Sequence, residues 1–174
     1  MITRDEITLI GKFNKPHGIN GEISATVNVP LEVLDECSCI VCDIDGIFVP
    51  FFIDAIRTKS HESALITLDG IASEQEAMMV VNKDIYILER EQIAWAQNNE
   101  EVPVEFFVNF KALINGTLTG TVAGLDDTTA NVLLVIDLDN GSEVLIPAVD
   151  EFITSIDFDQ KVVTFNIPQE LIDL

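Results

Sequence analysis

From Ile7 onward the chain is a succession of short β-branched and aromatic runs, each stopped by glycine, asparagine or aspartate. Such punctuation predicts strands joined by tight turns. Ile7 to Phe13 is one run. Between Gly21 and Val29, Ile23, Ala25, Val27 and Val29 alternate with Glu22, Ser24, Thr26 and Asn28, the period of a half-buried strand. Ile40 to Ile44 and Ile47 to Ile56 flank Asp45-Gly46, a hairpin signal because glycine accepts positive φ without steric cost. Ala64 to Leu68 and Asp84 to Glu89 are further strands. The second half adds Thr117 to Ala123, Asn131 to Leu138, Glu143 to Pro147, Phe152 to Ile156 and Lys161 to Ile167. Asn140-Gly141 suits a type I′ turn, and Pro168, without an N–H, ends the last strand.

One helix is expected. In Ser73-Glu74-Gln75-Glu76 the Ser73 hydroxyl would accept from the Glu76 N–H while Glu76 reaches back, and Ala77, Met78, Val80 and Val81 supply an apolar stripe. Composition turns polar and aperiodic near Glu91 to Pro103, as in a linker between domains. The expected organisation is mostly β: a first domain over residues 1–92 with the one helix, a linker over 93–102, and a second domain over 103–174. In the second half, five or six short strands with almost no helix imply a closed barrel, which leaves no unpaired edges.

Charge narrows the function. Thirty acids face nine bases, a net charge of −21. Nucleic-acid affinity comes largely from Lys and Arg displacing counterions at phosphates, so broad, non-specific binding is not expected. The same field speeds association with a cationic protein, although solubility alone would also account for it. Beyond Trp95 there are fourteen acids and only two bases, Lys111 and Lys161. The apolar fraction of 48% supplies a core. No apolar run approaches the roughly 18 residues needed to cross a bilayer. The N-terminus has Asp5 and Glu6 where a signal peptide would have bases, so a soluble cytoplasmic protein is expected.

No P-loop, GxGxxG, GxSxG or HExxH is present, so neither catalysis nor a cofactor is expected. Cys37, Cys39 and Cys42 resemble a metal fragment, but a structural zinc takes four ligands and the only histidines are His17 and His61. Three reduced thiols acting as small hydrophobes near a strand is the preferred reading. Asp137, Asp139 and Glu143 gather around a turn and are read as solvated rather than as a cation site. Asn115-Gly116-Thr117 has the form of a glycosylation acceptor and is read as a turn. Two basic spots stand out: Lys12, Lys15 and His17, then Arg57, Lys59 and His61, whose alternate spacing shares one face of an extended segment. Together at one barrel end they would touch a few RNA phosphates. Phe106 and Phe107 follow Glu105. Adjacent aromatics in a strand point opposite ways, so one would be exposed beside an acidic rim as an anchor for a protein partner. Burial of both at the domain junction is the competing reading.

Gly11-Lys12-Phe13-Asn14-Lys15-Pro16-His17-Gly18-Ile19-Asn20-Gly21-Glu22-Ile23 resembles the opening signature of the RimM family of ribosome-maturation factors, roughly G-x-I-x-K-x-H-G-x-x-G-E-V. Gly18 and Gly21 permit a tight loop between the first two strands, and Pro16 stiffens its entry. Further resemblances follow in order: Leu68-Asp69-Gly70-Ile71; Glu105-Phe106-Phe107 with Leu113-Ile114-Asn115-Gly116; Gly120 to Gly124; Leu145-Ile146-Pro147; and Leu171-Ile172-Asp173-Leu174. Where the family usually has Tyr-Tyr and Leu-Ile-Gly, this chain has two phenylalanines without hydroxyls, and Asn115 before Gly116. An apolar anchoring role survives that change.

The resemblance implies a translation-factor or reductase-like barrel followed by a PRC-type barrel. It implies a monomer that binds small-subunit ribosomal protein nineteen during maturation of the 30S head and processing of 16S ribosomal RNA. Glu105, Phe106, Phe107 and Leu113 would bind that partner. The alternatives are direct ribosomal-RNA contact through Lys12, Lys15, His17, Arg57 and Lys59, or a flavin-dependent reductase built on the first barrel.

Overall fold

The computed structural model describes residues 1–60 and 63–172. His61 of the second basic spot and the closing Asp173-Leu174 lie outside the described residues. The chain forms two compact units, Met1–Asn99 and Glu100–Leu174.

The first unit runs β1 (Ile7–His17), β2 (Glu22–Val27), α1 (Leu31–Glu36), β3 (Ile40–Ile44), β4 (Ile47–Phe51), β5 (Ile53–Ser60), β6 (Ser63–Leu68), α2 (Glu74–Ala77), β7 (Asp84–Leu88) and α3 (Glu89–Asn98). Among the described residues the sheet order is β4-β3-β7-β1-β2-β6-β5. Its two end strands, β4 and β5, are consecutive in sequence, with only Phe52 between them. The sheet must therefore curl until its edges approach, which makes a barrel. Ile10, Phe13, Ile23, Ala25, Ile66, Ile85 and Ile87 are buried within it. On β3 and β7 both faces are buried. Val41, Tyr86 and Leu88 form a second apolar cluster with Ile7 and Cys39, against which Ile2 and Phe48 pack. The Arg4 guanidinium stands 4.8 Å from the centre of the Tyr86 ring, closing that cluster with a cation–π contact.

The second unit opens with a 3-10 turn over Val104–Phe107 and continues through β8 (Lys111–Ile114), β9 (Leu118–Asp126), β10 (Leu133–Leu138), β11 (Glu143–Pro147), β12 (Ile153–Asp157) and β13 (Val162–Phe165). The order is β11-β10-β9-β8-β13-β12, and the end strands β11 and β12 are again consecutive. Its core gathers Phe107, Phe110, Ile114, Val122, Leu134, Ile136, Ile146, Val163 and Phe165. The expected mostly-β architecture of two small barrels is what the chain forms.

Three local expectations need correction. The helix after Ser73 spans only four residues, Glu74–Ala77. Beyond it the Met79 and Val80 N–H groups donate three residues back, and the Asn82 N–H donates to the Phe13 carbonyl, so the chain turns towards β1 instead of continuing. The apolar stripe is accordingly broken: Val80 is buried, but Met78 and Met79 are exposed. Ser73 caps as expected, accepting from the Glu76 N–H at 3.2 Å, while Glu76 Oε2 accepts from the Ala72 N–H rather than from that of Ser73. The polar stretch from Ile93 to Asn98 is helical, as the end of α3, and buries Trp95 and Ala96. Asn98 and Asn99 donate side-chain amide protons to the carbonyls of Ala94 and Trp95 near the helix end. Helix α1 was not expected; Pro30 precedes it, and Val33 and Leu34 are its buried anchors.

Candidate functional site

The segment from Pro103 to Asn115 holds the residues expected to bind a protein partner. It begins as a 3-10 turn, in which Phe106 N–H donates to the Pro103 carbonyl and Val108 N–H to that of Glu105. The expectation of a strand with one outward ring is therefore overturned. A 3-10 turn does not send neighbouring side chains to opposite faces as a strand does. Phe106 and Phe107 are both buried, at 6% and 2% exposure. Phe107 stacks edge-on with Phe110 at 5.8 Å, and Phe110 with Phe158 at 6.2 Å, so the Phe107 ring belongs to the core of the second unit. Glu105 is exposed, and Leu113 is half-buried on β8.

Asn115 closes this segment. Its φ is +51°, a conformation that asparagine tolerates better than most residues. Its amide Nδ2 donates to the Ile167 carbonyl at 2.9 Å, and its Oδ1 accepts from the Ile167 N–H at 2.8 Å. The side chain thus extends the parallel β8–β13 ladder beyond Ile114 and Phe165.

The basic spots lie on the first unit. A bulge at Asn14 interrupts the β1–β2 register, so Lys12 pairs with Thr26 while Lys15 pairs with Ser24. The bulge lets two lysines three residues apart both stand outward. Lys12 also faces Asp84 across β7 and lines a recess of about 390 Å³ together with Asp43, Asp45 and Lys83, where acids outnumber bases. Lys15 and Arg57 fall on one cross-strand row, through Ser24 and Leu65. Arg57 does not stand free. Its Nε and a terminal nitrogen donate to both oxygens of Glu22 at 2.6 and 2.7 Å. That fork holds the Glu22 carboxyl below its ordinary range. His17 Nε2 lies 4.0 Å from the same carboxylate. The structure therefore brings Lys15, His17 and Arg57 onto one face around an anion, and sets Lys12 in different electrostatic ground. Lys59 is exposed near the end of β5.

The loop joining β1 and β2 is built as its glycines require. Gly18 and Gly21 have φ of +71° and +84°. A Cβ on Gly21 would sit 2.3 Å from the Ile71 carbonyl oxygen, so the loop also packs where only glycine fits. Pro16 is half-buried at its entry. Of the thiols, Cys39 and Cys42 are buried and Cys37 partly so. Burial pushes the Cys37 and Cys42 thiols up to about 12, as expected of small hydrophobes rather than of reactive groups.

Comparison with known proteins gives a consistent set of matches. The RimM PRC barrel domain matches residues 104–171. Ribosome maturation factor RimM of Phocaeicola vulgatus is 38% identical over 174 residues, covering 99% of this chain and 100% of that protein. The protein of the same name from Bacteroides fragilis is 39% identical over 176 residues, covering 100% of this chain and 96% of its own. The one from Parabacteroides distasonis is 38% identical over 182 residues, covering 100% of both.

Proposed function

Since the chain belongs to the RimM family of ribosome maturation factors, we propose that it acts in maturation of the small ribosomal subunit by holding a cationic head protein, without catalysis and without a cofactor. The proposed partner is small-subunit ribosomal protein nineteen, and the proposed setting is cytoplasmic assembly of the 30S head with processing of 16S ribosomal RNA. The observation that carries this reading is the charge of the second unit, fourteen acids against two bases over residues 100–174. A surface of that sign attracts a cationic polypeptide and repels phosphate.

Within the second unit the contact is proposed to involve the 103–113 segment. Glu105 and Leu113 present its accessible surface, and Phe107 holds its shape from the core beneath. Because the Phe106 and Phe107 rings are both buried, neither acts as an anchor inserted into the partner.

A pull-down with purified ribosomal protein nineteen and the full chain tests this reading. A complex at low salt without RNA supports it; no complex under those conditions overturns it.

A second reading, direct ribosomal-RNA contact, is favoured by the shared face of Lys15, His17 and Arg57. Against it, Glu22 already occupies Arg57. Reversing the charges of Lys12, Lys15, Arg57 and Lys59 abolishes 30S association if that reading is right and leaves association intact if the protein contact is sufficient.

A further inference from the structure

The outward face of β9, β10 and β11 carries an arrangement that the core does not use. Leu134, Ile136 and Leu138 on β10 and Val144 and Ile146 on β11 are buried, so the alternate positions face outward. Strand register sorts them into three rows: Asp126, Leu133 and Pro147; then Gly124, Val135 and Leu145; then Thr121, Asp137 and Glu143.

The first two rows are apolar on β10 and β11. Leu145 is 40% exposed, and Leu133, Val135 and Pro147 are half-buried beside it. Gly124 has no side chain, and a Cβ there would meet nothing within 4 Å. It leaves a notch beside Val135.

Carboxylates bound the patch on both sides. The Asp126 carboxylate accepts from the Thr128 N–H and hydroxyl at 2.9 and 2.6 Å, and these bonds hold it below its ordinary range. At the other side Asp137 and Glu143 are direct cross-strand neighbours. Like charges opposite one another cost a sheet stability, and neither has a salt-bridge partner among the described residues. A cation brought by a partner would relieve that repulsion.

The geometry points to this face as a docking surface for an extended segment of a cationic protein, with an apolar side chain set into the Gly124 notch and a Lys or Arg two residues to either side. The spacing matches: two residues of strand advance about 6.8 Å, the separation of successive outward rows. The proposal rests on the reading that the partner is a basic protein, and it deepens that reading by adding, beyond the 103–113 segment, a second contact surface and its residue pattern.

The test measures binding of purified ribosomal protein nineteen to the full chain and to two surface variants, Leu145→Thr and the double change Asp137→Asn with Glu143→Gln. Threonine suits an exposed strand position, and circular dichroism confirms that both variants fold. The proposal expects Leu145→Thr to weaken binding about tenfold with its salt dependence unchanged. The double variant should lose much of the salt dependence of the association rate. With both carboxylates kept, a photo-crosslinker placed at Thr121, in the same outward row, should capture an extended segment of the partner rich in Lys and Arg. Wild-type binding with both variants within twofold of it overturns this docking face and leaves the protein-partner reading standing. No binding by the wild type at low salt overturns both.

Discussion

Gly18 and Gly21 both take positive φ, but only Gly21 is also crowded by backbone. The two should therefore respond differently to the same substitution. Gly18→Ala carries the left-handed backbone penalty alone, about 1–2 kcal/mol. Gly21→Ala adds a collision with the Ile71 carbonyl and should cost clearly more, measured as the loss of unfolding free energy in urea. Equal costs would mean that the loop yields at Ile71. Asn115 makes a sharper case, because its amide satisfies both backbone groups of Ile167, a residue only 5% exposed. Asn115→Ala should cost about 1–3 kcal/mol by leaving those groups without partners. A change under a few tenths would show that water replaces the amide. That asparagine looked like an intrusion into a Leu-Ile-Gly pattern. Its role depends on a partner 52 residues away, which no local reading supplies.

At the scale of elements, the strands and the Ser73-capped helix are readable in the sequence, and α1 and α3 are not. The Asp45-Gly46 hairpin is where turn chemistry puts it, with both residues at positive φ, because a two-residue turn is a local property. At Asn140-Gly141 the type I′ turn is not formed: four residues separate β10 from β11 and only the glycine has positive φ. Helix α3 lay in a stretch read as linker, since its polar residues hide the two side chains, Trp95 and Ala96, that bury it. The Phe106-Phe107 pair departs from strand alternation for a related reason: backbone bonds three residues apart make the segment a 3-10 turn. The corrected geometry has a consequence. Phe107→Ala should destabilise the second unit by about 3–5 kcal/mol, whereas Glu105→Ala should stay within about 0.5 kcal/mol. Thermal unfolding of both variants decides between a core ring and a surface anchor. Strand β3 and the end of α1 make a further prediction. The Cys37 and Cys42 thiols are raised from about 9 to about 12 in the folded protein. The unfolded chain then loses those protons first as pH rises, so their contribution to stability is intact below about pH 9 and fades between about 9 and 12. The urea midpoint should fall across that window, and fall less in Cys42→Ala. An identical fall in that variant would assign the loss to other groups.

For the whole molecule, sign of charge is the property that reaches furthest. The acidic excess was visible from composition alone, but where it bears on recognition was not. Strand register was needed to show that Asp126 stands on one side of an exposed apolar patch and the Asp137–Glu143 pair on the other. It was likewise needed to show that the best-placed arginine is already tied to Glu22. Long-range attraction of this kind acts mainly on the rate of encounter and is screened over about 8–10 Å near physiological salt. The most direct measurement offers the full chain ribosomal protein nineteen and naked head-domain ribosomal RNA in separate binding experiments, from low to physiological ionic strength. The account predicts a complex with the protein whose association rate falls steeply as salt rises, and no tight complex with the RNA alone. Tight attachment to the RNA at physiological salt, with the protein left unbound even at low salt, would contradict it.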